Sequence, residues 1–374
     1  MTLNLPKNAH HRLLGGTRVS LVDVQCRGLS MKRNTFHGFI VISLFWYPIP
    51  RATATETTAE PAAAGHILRL GTRLDGIVGA DAKLEKLADG YAWLEGPVWL
   101  RREGALLFSD VPNNVIHRYH PESGVSVFMQ PSGYTGTAPF TGSAPGSNGL
   151  AVDPMSGRLV ICQHGDRRVV RIEADGSKTI LAERYEGKRL NSPNDAVFRA
   201  NGDLYFTDPP YGLPQGFKDP GKELPISGVY RLPPGGELMV MVQDLTAPNG
   251  LAFSPDGKAL YLSDSDPDRP AWYYYDVRED DGVLENRRLF ADALPFTTGR
   301  KGAPDGIKVD REGNVFAAGP GGVYIFAPDG EHLGTIETGV PTANLAFGND
   351  GSMLYITAET TLYRISLLAV GDGF

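Results

Sequence analysis

Six short stretches of the chain begin alike, each with a polar residue at the head of an apolar run. They are Glu95 in E-G-P-V-W, Asn148 in N-G-L-A-V, Asn194 in N-D-A-V-F, Asn249 in N-G-L-A-F, Asp305 in D-G-I-K-V and Asn344 in N-L-A-F. Most are followed by a breaker-rich turn and a second apolar run, as in S-P-D-G-K-A-L-Y-L-S-D (254–264). The unit returns about every 40–55 residues, a period of strand-built propeller blades rather than helical repeats. The expected fold is therefore all-β: a six-bladed β-propeller whose innermost strands converge on a central channel. Like-placed residues at the heads of those strands can then point at one place. Two carboxylates and several amide oxygens around one axis make a pocket suited to a hard divalent cation.

The blades read as 95–129, 148–183, 194–243, 249–292, 305–337 and 344–367. Blade six lacks a fourth strand before the chain ends, and K-L-E-K-L-A-D (83–89) is expected to supply it. That pairing would close the ring and remove two exposed sheet edges. Between blades one and two a Gly/Ser/Thr/Pro stretch (131–147) is too long for a hairpin and reads as a loop over one face. Blade three carries the insertion D-P-P-Y-G-L-P-Q-G-F-K-D-P-G.

Ahead of the repeats, residues 31–54 run from Met31-Lys32-Arg33 through an apolar stretch (Phe39 to Trp46) to Ala52-Thr53-Ala54. This is a secretory signal pattern, too short in its apolar part to span a bilayer. The alternative is a disordered extension with a chance apolar patch. Residues 1–30 then read as a misassigned upstream extension, 55–79 as a linker and 80–374 as the propeller domain. A periplasmic or secreted protein is expected, a cytoplasmic one being the alternative. The net charge of −7, from 36 basic and 43 acidic residues, comes without a basic stripe and argues against nucleic acid as partner. A monomer or weak homo-oligomer is expected. Of two cysteines, Cys26 falls in the leader, and Cys162 lies in the apolar run R-L-V-I-C as a small hydrophobe.

Three Pro-Asp-Gly tripeptides separate turn chemistry from site chemistry. Asp256 and Asp329 lie between apolar runs, where hairpin turns belong. Asp305 instead takes the strand-head position of Asn249, because blade five has its own turn at R-E-G-N (311–314). Glu95 stands in an otherwise apolar segment, where an isolated buried charge is very costly, so it is ion-paired or ligating if buried, the alternative being an exposed turn glutamate. Asn194 and Asn249 could cap backbone groups or touch a ligand. Asn148 is a weaker candidate of the same kind. Asp110, Asp208 and Asp264 end the second strand in three blades, a regularity that points to a structural tie. His164, in C-Q-H-G-D, is either a satisfied loop histidine or a substrate contact. No G-x-S-x-G elbow, phosphate loop or dinucleotide fingerprint occurs.

The stretches E-G-P-V-W (95–99), N-S-P-N-D (191–195), Y-F-T-D-P-P-Y-G-L (205–213), P-N-G-L-A-F-S (248–254) and A-P-D-G-I (303–307) resemble the family of gluconolactonase, regucalcin and luciferin-regenerating enzyme. S-N-G-L, C-Q-H-G-D-R-R-V and D-P-P-Y-G-L bring it nearest to the bacterial gluconolactonase branch. The resemblance implies a six-bladed propeller with one divalent cation, calcium first, with Zn²⁺, Mg²⁺ or Mn²⁺ also admitted. It implies Glu95, Asn249 and Asp305 as metal ligands, Asn194 beside metal and substrate, and Asp305 as the catalytic base. The family can carry Arg where Ser192 stands, so sugar contacts on that side do not transfer. Lactone hydrolysis through a polarised carbonyl and an Asp-activated water is the implied activity. The alternatives are a phosphotriesterase-like hydrolase and a non-catalytic calcium- or ligand-binding propeller. Asn148 and His164 join Asn194 as expected substrate contacts.

Overall fold

The computed structural model describes residues 65–374, and the leader and upstream segments fall outside them. The described chain is all-β apart from four single 3₁₀ turns. It forms six antiparallel sheets arranged as blades, plus one small hairpin at Arg184–Tyr185 and Lys188–Arg189. The innermost strands are Leu94–Leu100, Ser147–Val152, Ala196–Phe198, Pro248–Phe253, Ile307–Val309 and Thr342–Gly348. Each packs against the innermost strand of the next blade, and that of blade six against that of blade one. The strand Glu85–Ala88 pairs antiparallel with Thr361–Ser366 as the outermost strand of blade six, where K-L-E-K-L-A-D was expected. Among the described residues no helix is long and apolar enough to cross a membrane.

The apolar interior is divided among the six contacts between neighbouring blades. Leu107, Ile116, Ile161 and Val170 fill the wedge between blades one and two, and Cys162, Val160, Phe206 and Tyr230 that between two and three. Tyr261, Trp272, Ile307 and Phe326 do the same between four and five. A second strand such as Ala105–Asp110 or Ala259–Asp264 is covered by blades on both faces, so every residue in it is buried. Outer strands such as Gly124–Met129 are largely exposed. With its apolar residues spent in the wedges, the axis is left to polar side chains.

The linker expected up to residue 79 gives way to ordered chain from Gly65 onward. The strand His66–Arg69 pairs with His332–Glu337 and makes blade five a five-stranded sheet. Leu74, fully buried, then enters the wedge between blades five and six with Ile77 and Val78. Composition alone hid this, because a four-residue strand followed by one buried leucine in a 3₁₀ turn carries no periodic signal.

Candidate functional site

Antiparallel pairing sets the head of each innermost strand beside the end of the second strand. Glu95 lies opposite Ser109, Ser147 opposite Gln163, Pro248 opposite Asp264 and Asn344 opposite Thr357. In all four blades the register shifts at that point, a bulge that re-aims the head side chain. Backbone contacts then draw heads of neighbouring blades together. The Gly149 N–H donates to the Asn194 carbonyl at 2.7 Å, and the Gly306 N–H to the Ala343 carbonyl at 2.8 Å. Ser109 Oγ donates to the Asn148 carbonyl and Ser263 Oγ to the Asp305 carbonyl, each at 2.8 Å. The glycine after a head residue is a steric need. At Gly96 (φ +48°) a Cβ would lie 2.1 Å from the Asn148 carbonyl oxygen.

The regular aspartates act as ties. Asp208 accepts the N–H groups of Asn191 and Ser192 at 2.7 and 2.8 Å. Asp264 accepts that of Ala247 at 2.8 Å, and Asp110 those of Ala92 and Trp93 at 3.3 Å. Each clamps the turn that leads into the head residue of its own blade.

Glu95, Asn148, Asn194 and Asn249 are buried at this end of the axis, while Asp305 keeps part of its surface open. Glu95 accepts from the Trp93 indole at 3.2 Å and from the Gly96 N–H at 3.3 Å. Burial nevertheless pushes its carboxyl up to about 8, with Asp195 adding to the rise. Asp305 is raised as well, first by burial and then by the charges of Glu95 and Asp195, against a smaller opposing contribution from Asn249. Two buried carboxyls held protonated by burial and by neighbouring negative charge are short of positive charge. Beside them the Oδ1 atoms of Asn148 and Asn249 are buried without a hydrogen-bond partner. Leaving buried amide oxygens unpaired is costly; a cation would satisfy the carboxylates and Asn249 together, and a ligand's donor group would satisfy Asn148. Among the described residues no three His, Cys, Asp or Glu side chains are grouped to hold a metal ion. The donor set is thus two carboxylates plus amide oxygens, which suits a hard cation. Asn344, the sixth head, is spent within the protein. Its Nδ2 donates to Asp195 Oδ2 at 3.3 Å and its Oδ1 accepts from the Leu345 N–H at 2.8 Å.

His164 is 2% exposed, and neither ring nitrogen has a partner. Burial pulls its imidazolium pKa down to about 3, so the ring is neutral with one donor and one acceptor open. It stands at the end of the second strand of blade two, on the same face as the heads. The 131–147 loop crosses this face, with the Tyr134 N–H donating to the Pro145 carbonyl at 2.6 Å and Thr135 donating to Asp166. Ser192 is fully buried and fully used. Its hydroxyl donates to the Pro209 carbonyl at 2.5 Å and accepts the Gly212 N–H at 2.8 Å.

Three residues escaped the sequence reading. Asp195 fills the place that is glycine after four of the other heads. Lys308 donates to the Ile307 carbonyl at 2.9 Å and to Asn344 Oδ1 at 3.4 Å, and its charge lowers the pKa of Glu95. Its signal was readable: the alternation I-K-V turns Lys308 away from the buried Ile307 and Val309, toward the axis. Tyr211, in the blade-three insertion, lies by Ser265 and Asp305, and only folding brings that loop across.

Fold and site together define a six-bladed propeller with an acidic, amide-lined mouth at one end of its axis. The SMP-30/Gluconolactonase/LRE-like region matches residues 93–360, and the chain belongs to that family. It is 39% identical over 340 residues to a gluconolactonase of Zymomonas mobilis, covering 87% of this chain and 95% of that protein. The solved gluconolactonase of Xanthomonas campestris is 35% identical with a TM-score of 0.69, over 80% of this chain and 94% of that one. The regucalcin of Agrobacterium tumefaciens, described as a calcium-binding protein, is 21% identical with a TM-score of 0.61, over 78% of this chain and 95% of that one, a likeness of fold.

Proposed function

We propose that this protein hydrolyses a sugar lactone of the glucono-1,5-lactone type to the aldonic acid, using one divalent cation, calcium by its oxygen donors. The observation that carries the reading is the pair of buried, partnerless Asn148 and Asn249 Oδ1 atoms beside the Glu95 and Asp305 carboxyls, both raised by burial and by neighbouring negative charge. The substrate class follows from the gluconolactonase relatives. Glu95, Asn194, Asn249 and Asp305 would hold the cation, which when bound supplies Lewis-acid polarisation of the lactone carbonyl. Asp305 takes a proton from the attacking water as the new C–O bond forms. The ring C–O bond then breaks, and the proton passes to the departing ring oxygen. Asp305 suits this work because its surroundings raise its affinity for the proton. Asn148 and the neutral His164 would bind substrate hydroxyls, each offering a buried polar atom without a protein partner. Turnover of glucono-1,5-lactone above its spontaneous hydrolysis should vanish with chelator and return with calcium. Full turnover by protein shown metal-free by elemental analysis would overturn the metal-dependent reading.

A further inference from the structure

Beneath the strand heads lies a second layer, and four glycines make room for it. Gly96, Gly149, Gly250 and Gly306 each follow a head, and in blade three the same place holds Asp195. Counted back from L-A-F, which blades four and six share, Asn344 takes the place of Gly250 in blade six. The pairing agrees: Thr357 Oγ1 donates to the Asn344 carbonyl at 3.1 Å, as Ser263 Oγ does to the Gly250 carbonyl at 3.2 Å. Blades three and six face each other across the axis, and there Asn344 Nδ2 donates to Asp195 Oδ2 at 3.3 Å. A Cβ at Gly149 would lie 2.7 Å from Asp195 Oδ1, and one at Gly306 would lie 2.2 Å from Asn344 Oδ1. The two side chains thus fill the space that the neighbouring glycines leave open.

Lys308 completes this floor. It follows Gly306 by two residues, in the strand Ile307–Val309, and its side chain turns back toward the heads. Nζ donates to the Ile307 carbonyl at 2.9 Å and to Asn344 Oδ1 at 3.4 Å. One amide therefore holds the ammonium at its oxygen and the Asp195 carboxylate at its nitrogen. Burial lowers the pKa of Lys308, and the charges of Asp195 and Glu95 oppose that drop. With a cation held, Glu95, Asp195 and Asp305 bring three negative charges against the one positive charge of Lys308. Buried charge is costly unless it is balanced, and a divalent ion brings this sum to zero. A trivalent ion overshoots it.

We propose that Lys308 sets the charge of the cation this site accepts: its ammonium, held beneath Glu95 and Asp305 by Asn344, selects a divalent ion over a trivalent one. This rests on the cation reading of the site. The test titrates calcium and terbium(III), by calorimetry at one pH, into wild type and variants freed of metal. Repulsion from Lys308 grows with the charge of the ion. Lys308→Met should therefore bind calcium about 10-fold and terbium about 30-fold tighter, raising the terbium-to-calcium affinity ratio about threefold. Lys308→Gln, which keeps a donor for Asn344, should do the same, and agreement of the two separates charge from packing. Asp195→Asn should weaken both ions and lower the ratio. The double variant Lys308→Met with Asp195→Asn restores the sum of charges and should restore the wild-type ratio. An unchanged or lowered ratio in either folded Lys308 variant, or a double variant away from the wild-type ratio, would overturn the proposal and leave Lys308 a strut for Asn344. Wild type that binds neither ion would instead remove the cation reading, and this proposal with it.

Discussion

Asp305 and Asp256 share the tripeptide Pro-Asp-Gly and titrate in opposite directions. Asp256, at a hairpin turn, accepts from the Ser254 hydroxyl at 2.6 Å and the Lys258 N–H at 3.1 Å, and these bonds lower its pKa. Asp305 is raised by burial and by Glu95. Asp305→Asn should keep the fold and lose turnover by about 10²–10⁴-fold, the usual worth of a general base. Asp256→Asn should turn over like wild type, and steady-state rates of the two variants decide the matter. Glu95 makes a second prediction. Its folded pKa of about 8 lies above the unfolded value of about 4.3, so the folded protein holds this proton more tightly. The stability it contributes is complete below that unfolded value and drains away as pH rises through 8. In chelator, Tm should fall between about pH 5 and 8. Glu95→Gln should flatten the fall, and calcium should remove it for the wild type by binding the ionised form. A wild-type Tm indifferent to pH in chelator would contradict the assignment.

An innermost strand works as a lever that sets its head residue, and glycine is its bearing. A Cβ at Gly250 would lie 2.3 Å from the Asp305 carbonyl oxygen, whereas one at Gly257 would meet nothing within 4 Å. Gly250→Ala must therefore push blades four and five apart at Asn249 and Asp305. It should lower both Tm and calcium affinity. Gly257→Ala, strained only by its φ of +68°, should cost about 1 kcal/mol and leave calcium titration unchanged. The repeat of polar head and glycine was legible in the sequence because it serves this packing in blade after blade. The Asp110, Asp208 and Asp264 ties were legible for the same reason. Asp195 and Tyr211 were not, since each departs from the repeat: one replaces the glycine, the other rides on an insertion. Residues that break a repeat gain meaning only when the blades are set side by side.

The ring as a whole depends on chain that the repeats do not include. Six blades could be counted from their heads, and K-L-E-K-L-A-D could be placed on blade six because that blade was short of a strand. Nothing in blade five announced a vacancy, so His66–Arg69 stayed hidden. It lies close against that blade: a Cβ at Gly334 would sit 2.3 Å from the Leu68 carbonyl oxygen. Arg69 then donates to the carbonyls of Val78 and Gly79 at 2.9 and 2.7 Å, folding the segment back so that Leu74 is buried between blades five and six. A chain beginning at residue 65 keeps all of this. A chain beginning at residue 80 loses the fifth strand together with Leu74, Ile77 and Val78. Emptying even one buried leucine position costs about 2–5 kcal/mol, so this chain should melt many degrees lower. Its loss should begin at the outer edge of blades five and six, at the opposite side of the blade-five sheet from the innermost strand and its head. Calcium should therefore raise the Tm of the shortened chain as it does that of the longer one. Equal melting of the two chains would mean that residues 65–79 only rest on the propeller.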